Sequence, residues 1–286
     1  MINISVLIMT LNEADNLPRC LAALQDFDEI IIVDSGSDDG TNDVARSFGI
    51  RVENFNWNGD YPKKRQWCLD HIEIKHDYIF FVDADEEVTP ELIDEIKNLD
   101  FQAAGYFVKG QYIFDGKILK HGLKNNKLVL FDRHKIEFPV VDDLDIDGMG
   151  EIEGHYQPVL KDGCKNEKLL QLTAPLLHFA YEDDEEWQKR HQRYAVWEAE
   201  MIRRRAYPED PDKGRQKLKE FFQKIPCRGL VAFVHSYILK LGFLDGVAGY
   251  RFACSRAAYY RMVSNALAAN KGPALFCEAY KQNSAP

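Results

Sequence analysis

The stretch Tyr78-Ile79-Phe80-Phe81-Val82-Asp83-Ala84-Asp85 is a short apolar run followed at once by two carboxylates, two positions apart. An uninterrupted apolar run of this length reads as a strand buried on both faces. An Asp-x-Asp triplet alone is common and weak. Just past the end of a buried strand it carries more, because two such carboxylates can bracket one hard divalent cation, Mg2+ or Mn2+, that also bridges a diphosphate. The competing reading is an acidic loop or a helix cap.

The same pattern recurs upstream. Residues 4–9 and 29–33 are apolar runs that end on polar residues: Thr10, Asn12 and Glu13 after the first, Asp34 and Ser35 after the second. Residues 50–55 read as a third strand. Between them, residues 15–24 place Leu17, Leu21 and Leu24 at helical spacing, with Asp15 or Asn16 as N-cap. Ser35-Gly36-Ser37-Asp38-Asp39-Gly40 is a polar turn, and residues 41–48 read as a helix closed by Gly49. Residues 63–71 follow Pro62, which suits a first helical turn. Thr89-Pro90-Glu91 opens a helix to about Leu99. Alternating strands and helices predict an α/β fold: a Rossmann-like, mostly parallel sheet with helices on both faces. Ligands of such sheets bind outside the carboxyl ends of the strands, where these polar residues fall together.

From about residue 101 the texture changes. Residues 106–109, 111–114, 127–131 and 151–159 are short strand candidates broken by Gly, Asp and Pro, predicted to complete the sheet and build a second pocket. From Asp183 the chain reads as helical. Asp183 to Glu186 at the start and Arg203-Arg204-Arg205 at the end both suit the helix dipole. Residues 228–241 form an apolar, aromatic helix, broken by Asp245-Gly246 before another helix at about 247–267. The expected organisation is one domain over 1–180, with a ligand-binding half over 1–100, and a helical C-terminal appendage over 181–286.

Of the 286 residues, 45% are hydrophobic and 29% charged, enough for a proper core. Six scattered cysteines without a CxxC pair imply neither a zinc site nor a disulfide framework. No stretch reaches the roughly 18–20 apolar residues that cross a bilayer, and residues 1–5 lack the basic start of a secretory signal. A cytoplasmic protein is expected. The net charge of −10 hides an asymmetry: residues 186–262 hold 16 Lys/Arg against 8 Asp/Glu. The acidic remainder argues against a nucleic-acid partner. The basic C-terminal region is a candidate for an anionic membrane surface, weighed against a solvated face, core packing or a dimer contact.

Three motifs together resemble a known family. Ile8-Met9-Thr10-Leu11-Asn12-Glu13, Ile32-Val33-Asp34-Ser35-Gly36-Ser37-Asp38-Asp39-Gly40-Thr41 and Phe81-Val82-Asp83-Ala84-Asp85-Glu86 look like family 2 glycosyltransferases of the GT-A fold. Trp57-Asn58-Gly59 with Lys63-Lys64-Arg65-Gln66 is similar to the lipopolysaccharide-core glucosyltransferases within it. The resemblance implies a nucleotide-diphosphate sugar donor and assigns roles by position. Asp34 would accept a hydrogen bond from the base, favouring uracil. Thr10, Asn12, Glu13 and Ser35 would line the nucleoside pocket. Asp83 and Ala84 would contact the donor, and Asp85, with Asp83 and His178, would hold the metal. Lys63, Arg65 and Gln66 would lie near the diphosphate. The acceptor is expected to be a glycan or lipid-linked glycan.

Family 2 enzymes invert the anomeric centre, as the resemblance implies, so one general base must take the acceptor proton. Carboxylates for that task lie at Asp142-Asp143 and in Gly150-Glu151-Ile152-Glu153-Gly154-His155-Tyr156-Gln157. If the second segment is extended, Glu151, Glu153, His155 and Gln157 share one face. Glu153 is preferred, with Glu151 and Asp143 as alternatives. The relatives often carry Val-His-Glu here, and this chain departs from it. A sugar nucleotidyltransferase would begin with a glycine-rich, basic phosphate loop, which Thr10-Leu11-Asn12-Glu13 is not. A dehydrogenase would show G-x-G-x-x-G after the first strand. A non-catalytic sugar-nucleotide sensor remains as the third reading.

Overall fold

The computed structural model describes residues 1–146, 149–153, 156–179 and 184–269. The first half alternates as expected: β1 (Ile2–Thr10), α1 (Leu17–Ala22), β2 (Phe27–Asp34), α2 (Thr41–Ser47), β3 (Arg51–Asn54), α3 (Lys64–His71), β4 (Tyr78–Asp83), β5 (Glu86–Val88) and α4 (Pro90–Lys97). Then come β6 (Gly105–Phe114), β7 (Lys117–Ile118), β8 (Asn125–Asp132), β9 (Ile136–Glu137), β10 (Val159–Leu160) and β11 (Leu169–His178). Helices α5 (Asp184–Arg204), α6 (Lys213–Gln223), α7 (Arg228–Phe233) and α8 (Gly246–Ala268) follow.

β1 is buried at every position except Asn3 and Met9, as a central strand covered on both faces must be. The sheet runs β3-β2-β1-β4-β8-β6-β11-β5, with β7 paired to β6. β1 to β4 are parallel; β8 runs against both β4 and β6, and β11 is parallel to β6. The carboxyl ends of β1, β2, β4, β6 and β11 therefore lie along one edge. Thr89 starts α4 by accepting a hydrogen bond from the Leu92 N–H at 3.2 Å, and Pro90 takes the first turn. Gly105 lets β6 cross closely: a Cβ there would lie 2.9 Å from Leu128 and Ile136 side-chain atoms.

Two sequence expectations are revised. Among the described residues of 151–159, only Val159 lies in a strand, where Val159–Leu160 pairs with β9. The reason is that the Glu151 carbonyl accepts from the Lys64 N–H and the Glu153 carboxylate binds the start of α3, so the segment follows a helix end rather than a sheet edge. His155 lies outside the described residues, as does Asp183 at the expected helix start. β11, which mixes Gln, Thr and Pro among its leucines, is not among the expected strands, whereas α6 falls in the region expected to be helical. Instead of one helix over 228–241, α7 passes into a π-helical turn (Val234–Leu239) and, after a break at Lys240-Leu241, a 3-10 turn (Gly242–Asp245) leads into α8. Trp197 and Met201 of α5 are buried in the same core as the sheet.

Candidate functional site

The loop after β2 is built around one carboxylate. Asp34 is fully buried and accepts hydrogen bonds from Thr10 Oγ1 (2.9 Å), the Gly36 and Ser37 N–H groups (2.9 and 2.8 Å), Ser37 Oγ and Asn42 Nδ2. Burial alone would raise the Asp34 carboxyl; the bonds from Ser37, Thr10 and Asn42 outweigh it and hold the group below its usual range. Asn12, in the left-handed region at φ 58°, ties the loop after β1 to this one by donating its N–H to Ser37 Oγ and accepting from the Asp38 N–H. The Glu13 N–H donates to Thr41 Oγ1 at 2.8 Å. The Ser35 N–H donates to the Thr10 carbonyl, while its hydroxyl is buried without a partner among the described residues. Thr10, Asn12, Glu13, Asp34 and Ser35 thus form one connected wall.

The neighbouring wall is the end of β4. Asp83 accepts from Arg65 Nη2 at 2.7 Å and from Lys127 Nζ at 2.9 Å. Lys127 also pairs with fully buried Glu86. Burial opposes charge on Asp83, but Lys127 and Arg65 outweigh it and hold the carboxyl well below the usual range. Burial would lower Lys127; Asp83 and Glu86 more than offset this and raise it. Glu86 is itself raised, by burial.

Asp85 faces His178 at the end of β11, with Oδ2 and Nε2 3.2 Å apart. The β11 register that sets His178 opposite Tyr112 on one side and Glu86 on the other puts the ring there. Tyr112 stacks on it at 5.3 Å, and Nδ1 is buried without a partner among the described residues. Burial disfavours the imidazolium, yet Asp85 raises its pKa above the ordinary value.

No group of three or more His, Cys, Asp or Glu among the described residues is arranged to hold a metal. Asp85 and His178 nevertheless fit as a two-ligand set. Two ligands of one octahedral cation at about 2.1 Å lie about 3 Å apart, and Mg2+ is commonly held by one or two carboxylates, here Asp85, plus substrate phosphates. Asp83 does not join them, because both its oxygens are taken by Arg65 and Lys127.

Other expected site residues go elsewhere. Lys63 is 0% exposed and binds Asp143 at 2.6 Å and the Met149 and Ile152 carbonyls, so it does not reach a diphosphate. Asp143, also 0% exposed, accepts in addition from Tyr61 (2.8 Å) and Trp197 (2.9 Å), so both its oxygens are engaged within the core. Glu153 is 5% exposed and accepts from the Arg65 and Gln66 N–H groups at 3.0 to 3.1 Å, which makes it the cap of α3 rather than a free base. The Gln66 side chain donates to Asp70 and accepts from the Phe138 N–H. Ala84, 2% exposed, packs into the core. Glu151 is half-buried, and its carboxylate makes no hydrogen bond among the described residues. Sequence reasoning missed Lys127, whose one signal is a lone cation at the mouth of an apolar strand, and Tyr112.

The fold and site define a GT-A type α/β sheet with a strand-end acidic site. The sequence profile of Glycosyl transferase family 2 matches residues 5–148, half of the chain, and the chain belongs to that family. The chain is 36% identical over 108 residues to the lipopolysaccharide core biosynthesis glycosyltransferase LpsC of Rhizobium meliloti, covering 32% of this chain and 39% of LpsC. It is 39% identical over 95 residues to an uncharacterized glycosyltransferase of Rickettsia bellii (33% and 31%) and 33% identical over 99 residues to a TPR repeat-containing protein of Synechococcus elongatus (34% and 24%). The chain thus spans less than half the length of these relatives. A solved mannosyltransferase of Pyrobaculum calidifontis, in complex with GDP-Man and Mn2+, superposes with TM-score 0.51 at 14% identity, covering 94% of this chain and 88% of that one.

Proposed function

We propose that the chain is an inverting, metal-dependent hexosyltransferase that moves a sugar from a nucleotide-diphosphate donor, a UDP-sugar, to a glycan or lipid-linked glycan of the cell envelope. The observation that carries this reading is the Asp85–His178 pair flanked by Arg65 and Lys127, beside the Thr10–Asp34 wall at the same sheet edge. LpsC, named for lipopolysaccharide core biosynthesis, supports the envelope role. The P. calidifontis neighbour, in complex with GDP-Man and Mn2+, supports a nucleotide sugar and a divalent metal.

In this reading the Asp34 loop, with Thr10, Asn12, Glu13 and Ser35, holds the nucleoside. Asp85 and His178 would hold Mg2+ or Mn2+, which when bound neutralises charge on the leaving diphosphate. Arg65 and Lys127 offset the same charge from fixed positions. The acceptor hydroxyl oxygen attacks the anomeric carbon opposite the diphosphate. The carbon–oxygen bond to the diphosphate breaks, the hydroxyl proton passes to a carboxylate, and the nucleoside diphosphate leaves. Of the three candidate carboxylates, Glu151 is assigned as the base, because Asp143 and Glu153 are both buried and engaged.

The test is thermal stabilisation and sugar transfer or hydrolysis with a panel of UDP-, GDP- and other nucleotide sugars, with and without Mn2+ or Mg2+. Metal-dependent stabilisation and turnover with UDP-sugars, both lost in Asp85→Ala, are expected. No response to any nucleotide, or a response unchanged in Asp85→Ala, overturns the reading. Stabilisation without turnover in any acceptor mixture supports a sensor instead.

We infer further that the C-terminal surface rests on an anionic bilayer at the cytoplasmic face of the membrane. No single helix among the described residues is long and apolar enough to cross a membrane; the pair Arg228–Leu239 and Gly242–Ala268, bent by 72°, meets the length and composition criteria only together. Leu239, Leu244 and Val247 are 68%, 56% and 72% exposed. The loop carrying Lys117, Lys120 and Lys124 docks beside them: the Lys120 and His121 N–H groups donate to Asp245, and the Gly122 N–H donates to the Lys240 carbonyl. An apolar patch rimmed by lysines complements an anionic interface. Retention on phosphatidylglycerol vesicles but not on phosphatidylcholine, weakened by Val247→Glu, is expected. No retention at low salt, or a dimer in solution that Val247→Glu dissociates, overturns it.

A further inference from the structure

Trp57 stands in the loop after β3, outside both walls of the site. The Phe55 N–H donates to the Asp34 carbonyl at 2.8 Å, which ties the start of this loop to the end of β2. Buried Phe55 supports the indole, with ring centroids 6.2 Å apart. Asn58 accepts from the Asp60 N–H at 3.0 Å and Gly59 takes φ 93°, so the chain turns sharply just after Trp57. The indole is left half-buried among exposed Asn56, Asn58 and Asp60.

The polar edge of the indole meets the segment that carries the assigned base. A Cβ on Gly150 would lie 3.0 Å from Trp57 Nε1 and 3.5 and 3.6 Å from Cε2 and Cζ2, so the N–H edge is the one against Gly150. The next residue is Glu151. Neither the Trp57 N–H nor the Glu151 carboxylate has a hydrogen-bond partner among the described residues. In Trp197, by contrast, the N–H donates to Asp143 at 2.9 Å. The two segments are held together by other bonds: the Val141 N–H donates to the Tyr61 hydroxyl at 3.0 Å, and the Lys64 N–H to the Glu151 carbonyl at 3.0 Å. Lys64 also joins them to the nucleoside wall, because its Nζ donates to the Thr10 carbonyl at 2.8 Å. Burial lowers the Lys64 ammonium, and the Glu151 and Asp34 carboxylates are among the groups acting against that lowering. An aromatic face attracts the C–H bonds on one side of a pyranose ring through its quadrupole. An indole N–H donates to a sugar hydroxyl, and an unpaired carboxylate accepts from one. The same carboxylate disfavours the diphosphate part of the donor.

We propose that Trp57 is the platform for the acceptor sugar: a neutral pyranose ring lies on the accessible part of the indole, one of its hydroxyls accepts from Nε1–H, and the reacting hydroxyl reaches Glu151. The assignment as acceptor rests on the transferase reading and on Glu151 as its base; sugar binding at Trp57 does not. The platform accounts for a half-buried tryptophan whose unpaired polar edge is set one residue from an unpaired carboxylate.

The experiment follows the indole N–H resonances of the four tryptophans in the isotope-labelled whole protein. The Trp57 signal is the one missing from Trp57→Phe. Methyl β-glucoside, methyl β-galactoside and methyl α-mannoside are titrated, each with and without UDP and Mg2+. At least one sugar should move the Trp57 signal saturably, beyond any shift that UDP and Mg2+ cause. Trp57→Ala should weaken binding of that sugar about tenfold or more, read by saturation-transfer NMR, and Trp57→Phe should weaken it less. The thermal response to UDP and Mg2+ should stay unchanged in both. A Trp57 signal that moves with UDP and Mg2+ and no further with any sugar assigns the indole to the nucleobase and overturns the proposal. No response to any of the three sugars, or sugar binding unchanged in Trp57→Ala, also overturns it. If neither variant folds, the wild-type titration decides, with the Trp57 signal identified by backbone assignment. A sugar response without any nucleotide response would keep the platform and remove the transferase reading; a nucleotide response without a sugar response would do the reverse.

Discussion

Two sets of acidic residues look alike in the sequence and have opposite fates in the fold. Asp83 and Asp85 leave a buried strand at the open edge of the sheet, with Arg65, Lys127 and His178 supplied by other segments. Asp143 and Glu153, expected on the acceptor side, are drawn inward: one by Lys63, Tyr61 and Trp197, the other by the first N–H groups of α3. Burial separates architecture from chemistry here. At the strand end, Asp83 is spanned by two cations while Asp85 faces only His178 at the sheet edge; in the second set, both carboxylates are nearly or fully buried and every oxygen is engaged by the surrounding segments.

The sharpest way to break the contrast is at Lys63. Lys63→Met leaves Asp143 buried with only neutral donors, and a stability loss of about 3–5 kcal/mol in denaturant unfolding is expected. A loss below about 1 kcal/mol would mean the pair is not the buried anchor described. The next effect is at Asp85, where Asp85→Ala should lower transfer about a hundredfold or more while leaving unfolding nearly unchanged.

Glu153 and Glu151 form a finer contrast. Glu153→Ala removes the α3 cap and should cost about 1–2 kcal/mol of stability. Glu151→Gln should leave stability and donor binding intact and abolish turnover. Turnover retained in Glu151→Gln and lost in a folded Glu153→Gln would return the base to Glu153.

The smallest effect concerns acid. At Asp210, burial would raise the carboxyl, but Arg215 and Lys219, at 2.8 and 2.7 Å, outweigh it and depress its pKa in the folded state. Its stabilising contribution is therefore present above about pH 4 and lost as pH falls through the lower folded value. Asp210→Asn should lower Tm at pH 7 and flatten its fall between about pH 4 and pH 2; parallel profiles for the two proteins would contradict the pairing.

The first hundred residues were legible because β1, β2 and β4 are largely apolar runs that end on polar residues, a pattern that survives in one dimension. His178 was legible as a residue but not its setting, since β11 mixes Gln, Thr and Pro among its leucines and takes its place only by pairing with β6 and β5. Lys127 was hidden because its partners Asp83 and Glu86 lie some forty residues upstream. The fate of Asp143 was set by Tyr61 and Trp197, 82 and 54 residues away, and nothing local to Asp142-Asp143 announces them.

The most direct measurement compares thermal melts of Asp85→Asn and Asp143→Asn with wild type, each with and without UDP and Mn2+. Asp143→Asn should melt several degrees lower yet keep the ligand-induced rise, and Asp85→Asn should melt like wild type and lose that rise. A ligand shift that survives in Asp85→Asn, or vanishes only in Asp143→Asn, would contradict the division between a strand-end donor site and a buried structural pair.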